Sequence, residues 1–155
     1  MTPTLAGRLQ TRIFLLLVIG VPWTLLIGTV LPRPEGASLG DLYEVLLSAI
    51  AIVILAGVVW ELIYHAFQQL RWEKDWPTLF GLLTGINEGI VTYFILTRVL
   101  PDDLDVGSVS VDYSEIPIST FVIHFATTWI LVWLVANGPM RVFFLRWRFR
   151  GGRLV

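Results

Sequence analysis

The sequence predicts an all-α integral membrane protein, a four-transmembrane-helix bundle with both termini cytoplasmic. Three observations carry that prediction. Of the 155 residues, 55% are hydrophobic and 15% charged, with a mean hydropathy of +0.74, a balance that belongs to membrane proteins. Four apolar runs are each long enough to cross a hydrocarbon core of ~30 Å, and together they leave no room for a water-soluble domain. The basic residues are also lopsided. With the N-terminus inside, nine of the eleven fall on the cytoplasmic side: Arg8, Arg12, Arg71, Lys74, Arg141, Arg146, Arg148, Arg150 and Arg153. Only Arg33 and Arg98 remain outside, as the positive-inside bias requires of four spans. Treating the third run as a re-entrant loop would put the basic tail outside.

The first helix is expected over 13–31, with Arg8 and Arg12 as its charged flank. The run exceeds a usual signal core, and Gly28-Thr-Val-Leu-Pro32 lacks small-x-small spacing, so it reads as an uncleaved span. Pro22 lies inside it and removes one backbone hydrogen bond, which predicts a kink there. Pro32, Pro34 and Gly36 end the run.

A second helix is expected over 42–67. Glu44 and Glu61 bracket its uncharged centre, and Gly57, His65 and Gln68 share the Glu61 face. Glu61 and His65 stand at i, i+4 and are positioned to bond one another. A mixed-charge connection with Trp72 and Trp76 at headgroup level leads into a third helix over 77–98. Residues 101–117 hold five acids and no base, with a short alternating stretch at Val109–Ser114 that suits an extended segment. Asp102, Asp103 and Asp105 lack the ordered ligand pattern of a calcium loop.

The fourth helix is expected over 118–137, stopped by Gly138-Pro139. Its His124 face carries Thr120, Thr127 and Thr128, and the opposite side, with Trp129 and Trp133, reads as the lipid or partner side. In the tail, 140–155, five arginines interleave with aromatics. As a strand it would put Arg146, Arg148 and Arg150 on one face, and with Arg141 these suit anionic lipid headgroups. The same charges already serve topology, so nucleic acid is not an expected partner.

The third helix holds the best packing surface. Gly81, Gly85 and Gly89 form one stripe on which another helix can approach closely. At ~100° per residue, Glu88 lies about 20° from Gly81 and about 100° from Gly89, so its carboxyl borders the stripe. An acid in mid-membrane costs at least ~2.5–3.5 kcal/mol and needs a partner, water or a proton.

Counted from the outer helix ends, His124 lies roughly 9 Å deep, Glu88 roughly 18 Å, Glu61 roughly 28 Å and His65 roughly 34 Å. Groups so spread do not make one metal site or a bis-histidine haem, and no metal or cofactor is expected. They do suit an interrupted proton or cation path through Glu61, His65, Glu88 and His124. Glu44 and Arg98, at outer helix ends, are placed to pair.

Without cysteine the chain has no disulfide, thiolate site or thiol nucleophile. Neither a nucleophile elbow, a phosphate loop nor HExxH is present. The functional expectation is therefore a non-enzymatic subunit or assembly partner of a larger membrane complex, or a homo-oligomer, packing through its glycine and tryptophan faces. The alternative is a proton- or cation-conducting subunit using Glu88.

Overall fold

The computed structural model describes residues 4–33, 36–70, 78–100 and 116–155. The Trp72–Trp76 connection, the acidic loop and the extended segment at Val109–Ser114 lie outside the described residues. Within them the chain is helical throughout: α1 (Leu5–Leu15), a π-helical turn (Leu16–Gly20), α2 (Val21–Ile27), α3 (Leu39–Leu70), α4 (Thr78–Arg98), α5 (Ile118–Asn137), α6 (Pro139–Phe143) and α7 (Leu145–Phe149). Four stretches are long and apolar enough to span a membrane: Leu5–Ile27, Leu39–Leu70, Thr78–Arg98 and Ile118–Phe143. Large apolar side chains cover the outside, with Leu55 72% exposed and Ile90 65%, as a bilayer-facing surface would be.

The first span starts eight residues before its expected boundary. Thr4 caps it by accepting the Gly7 N–H at 3.1 Å, and its turns carry Arg8 and Arg12 into the bundle. Pro22 has no N–H for the carbonyl one turn behind it. The helix answers with a π turn, in which the Val21 N–H reaches Leu16 O, five residues back. The distortion expected near Pro22 therefore falls in the turn just before it. In α3, Ser38 and Asp41 cap reciprocally, Ser38 N to Asp41 Oδ2 at 2.7 Å and Asp41 N to Ser38 Oγ at 3.2 Å. The 32 residues of α3 make a rod of about 48 Å, longer than the ~30 Å thickness of a typical hydrocarbon core.

The α4–α5 seam is an antiparallel register of glycine against aromatic ring. A Cβ at Gly81 would meet Trp133 at 3.7 Å, one at Gly85 would stand 2.5 Å from Trp129 Cδ1, and one at Gly89 would stand 2.9 Å from Phe125 Cε1. The indoles use the exposed backbone: Trp129 Nε1 donates to Leu82 O at 3.2 Å, and Trp133 Nε1 to Thr78 O at 3.0 Å. The tryptophan side of α5 thus faces the glycine stripe of the same chain, which corrects its assignment to lipid or a partner. A groove without Cβ atoms accepts flat rings, and its carbonyls supply acceptors that lipid tails lack.

The tail is not a strand. Pro139 starts α6, where Met140 is buried, and Phe144 packs edge-on against Phe14 with centroids 5.7 Å apart. After α7, Gly151 and Gly152 take φ of 64° and 83° and turn the chain back onto α1. There Gly151 O accepts from Thr4 N at 2.7 Å, Gly152 O accepts from Thr11 Oγ1 at 2.8 Å, and Leu154 N donates to Gln10 Oε1 at 2.8 Å. A Cβ at Gly7 would stand 2.6 Å from Gly151 O, so this clasp needs glycine on both sides. Arg141, Arg146, Arg148 and Arg150 are all exposed. Both ends of the described chain therefore meet at one end of the bundle.

Candidate functional site

Arg8 and Arg12 stand one turn apart on α1, so their side chains leave the same face. They meet Glu61 of α3 and Glu88 of α4. Arg12 clamps Glu88 with both terminal nitrogens, Nη2 to Oε1 at 2.8 Å and Nη1 to Oε2 at 2.5 Å. It also reaches Glu61 Oε1 through Nε at 3.1 Å, while Arg8 Nε bonds Glu61 Oε2. Two guanidiniums thus neutralise two carboxylates, and Glu88 is 2% exposed.

Small and flat neighbours make the room. A Cβ at Gly57, one turn before Glu61, would stand 2.7 Å from Arg12 Cδ. The Trp129 ring lies 5.6 Å from Arg12 Cζ, a cation–π distance. Arg12 therefore touches α3, α4 and α5 as well as belonging to α1.

This arrangement revises the depth estimates. Glu61 and Glu88 share one guanidinium, although level helix ends and straight axes put them in different layers. The reach of the arginine closes that gap, since Arg12 bonds both carboxylates. Glu61 does not bond His65, because the arginines occupy both of its oxygens; His65 Nδ1 has no hydrogen-bond partner. Glu44 and Arg98 form no ion pair among the described residues; Arg98 is exposed at its helix end, where a long cationic side chain reaches polar surroundings.

His124 belongs to a separate site. Its Nε2 lies 2.8 Å from Thr24 Oγ1, and Thr24 Oγ1 in turn lies 2.8 Å from Gly20 O. Thr24 has one proton to donate; spending it on the carbonyl makes His124 Nε2 the N–H donor and leaves Nδ1 as an acceptor. His124 Nδ1 and Thr128 Oγ1 are buried without hydrogen-bond partners beside a cavity of about 10 Å³. His124 thus joins no member of the arginine–glutamate cluster. Among the described residues, no three His, Asp or Glu side chains gather as metal ligands.

Beside the charged cluster lies a crevice of about 260 Å³, open at the end where the termini meet. Arg12, Glu61 and Leu16 line its inner part. Gly7, Thr78, Asn137, Arg141 and Gly152 also line it, with Trp133, Val132 and Ala136 of α5 along one wall.

Sequence reasoning found Glu61 and Glu88 but missed Arg8 and Arg12 as their partners. Two signals pointed to them: the i, i+4 spacing of the arginines and the matching number of buried acids. Gly57 was visible on the Glu61 face, and its role emerges only with Arg12 in place.

No family model matches the sequence, and the searches found no similar curated protein or solved structure. The class is defined by the fold itself: a helical chain with four helices able to span a membrane, with an arginine paired to a buried glutamate among them.

Proposed function

We propose that this chain is a multi-pass protein of the cell membrane that acts as a non-enzymatic subunit or assembly partner of a larger membrane complex. The observation that carries this reading is the mutual neutralisation of Arg8, Arg12, Glu61 and Glu88. The ion pairs of these four side chains link α1 to α3 and α4. An acid clamped by two guanidinium nitrogens is poorly placed to exchange protons, and His124 bonds a threonine elsewhere.

With the glycine and tryptophan faces packed on each other, a partner subunit or a second copy would use the outer apolar flanks. The charge bias supports a cytoplasmic location for both termini, and Arg141, Arg146, Arg148 and Arg150 then face anionic headgroups. The rival reading, a proton- or cation-conducting subunit, draws on the open crevice reaching Glu61.

Purification in mild detergent after brief crosslinking separates the two. The expected result is a fixed set of foreign membrane subunits. A homogeneous preparation that passes protons in liposomes, and stops doing so with Glu88→Gln, would overturn the subunit reading.

A further inference from the structure

The crevice is not electrically balanced, although the cluster behind it is. Its lining holds three guanidiniums, from Arg8, Arg12 and Arg141, against the single carboxylate of Glu61. Adding Glu88, which lies behind Arg12, still leaves one positive charge in excess. The three arginines are also unequally committed. Arg12 spends Nε, Nη1 and Nη2 on carboxylates. Arg8 spends only Nε, so among the described residues its two terminal nitrogens make no hydrogen bond. Arg141 spends one terminal nitrogen on Asn137 Oδ1 at 2.8 Å, and its guanidinium lies 5.8 Å from the Trp147 ring centre.

We propose that this crevice binds a phosphate oxyanion carrying an organic substituent, with the oxyanion on Arg8 and Arg141. Guanidinium forks match the paired oxygens of phosphate, and such charge-assisted bonds are strong where water is scarce. The substituent lies along Val132, Trp133 and Ala136, an apolar wall beside the cationic mouth. About 260 Å³ is small for a ligand site, so it admits a headgroup or a compact phosphate ester and not whole acyl chains. Arg12 is the floor of this site and not a ligand group, since its nitrogens are occupied. The site differs from Arg146, Arg148 and Arg150 of the tail, which do not line the crevice, in being of fixed stoichiometry, and it does not depend on the subunit reading.

The test is native mass spectrometry of delipidated protein in detergent with added dioleoyl phosphatidic acid, dioleoylglycerol or glycerol 3-phosphate. The expected result is one phosphatidic acid retained per chain and no retained dioleoylglycerol. Arg8→Gln should weaken retention about tenfold, the effect of losing a charge-assisted contact. Because Arg8→Gln also alters the Glu61 pair, Ala136→Phe serves as a second variant; it fills the crevice without touching a charge and should abolish retention. Replacing Arg146, Arg148 and Arg150 by Gln should leave the single bound molecule in place.

Glycerol 3-phosphate binding as tightly as phosphatidic acid identifies a soluble ester as the source; weak competition identifies a lipid. Equal retention of dioleoylglycerol, or full retention by the folded Ala136→Phe variant, would overturn the site.

Discussion

Arg12, nearly buried, and His124, fully buried, lie in the same small bundle, and they are held in opposite ways. Arg12 sits among two carboxylates, an indole face and a missing Cβ, so all three of its nitrogens are engaged. His124 has one neutral hydrogen bond, and its second ring nitrogen is idle beside a cavity about one water wide. A charge in low dielectric must be met by counter-charge, whereas a neutral imidazole tolerates partial satisfaction at modest cost. The two sites therefore divide the labour. The charged one ties three helices together, and the neutral one joins α2 to α5 loosely.

The sharpest way to break that contrast is Arg12→Leu, which leaves Glu88 buried without its clamp. Loss of about 3–5 kcal/mol is expected from such a change, measured as unfolding in mixed detergent. Arg12→Leu combined with Glu88→Leu should recover most of it, because Arg8 still covers Glu61. A double variant no more stable than the single one would show that the ion pair is not what holds the helices.

Next in size is Gly85→Ala. The new Cβ would press on Trp129, the ring beneath Arg12, with an expected cost of about 1–3 kcal/mol by the same unfolding measurement. Gly81→Ala provides the control: its Cβ meets Trp133 at an ordinary 3.7 Å, so stability should be unchanged or slightly raised. Equal losses at the two positions would remove the steric account of the seam. At the neutral site, Thr24→Val should cost about 0.5–1.5 kcal/mol, the worth of one uncharged hydrogen bond. A loss as large as that of Arg12→Leu would mean that His124 carries a charge after all.

How far the sequence reveals these sites depends on whether a residue admits one explanation or two. The α4 and α5 boundaries were readable to within a residue, because proline precedes both and Gly138-Pro139 follows the second. The start of the first span was not. Arginines before an apolar run serve equally as a topology signal or as buried counter-ions, and hydropathy scores both alike. Glu88 was recognisable as an acid in need of a partner, since a lone acid in an apolar run has few other readings. Which residue met it depended on side-chain reach, which helix-end arithmetic ignores.

The seam was half readable. The glycine stripe stood out, yet the rings that fill it looked like a lipid face. Periodicity shows which residues share a side of a helix, and the opposing helix decides what that side is for.

The separation of Arg12 from its acids along the chain has a consequence for synthesis. Arg12 precedes Glu61 by 49 residues and Glu88 by 76, so the ribosome delivers the cation well before either anion. During that interval the first span holds an arginine that a bilayer centre penalises by about 2.5–3.5 kcal/mol, which favours a shallow resting place at the headgroups. Seating it fully would then wait for the third span to arrive with Glu88. Chains arrested before Glu61 should leave a cysteine placed at position 13 open to water-soluble thiol reagents, and full-length chains should protect it. In this bundle, translation order would decide when the first helix becomes a transmembrane one.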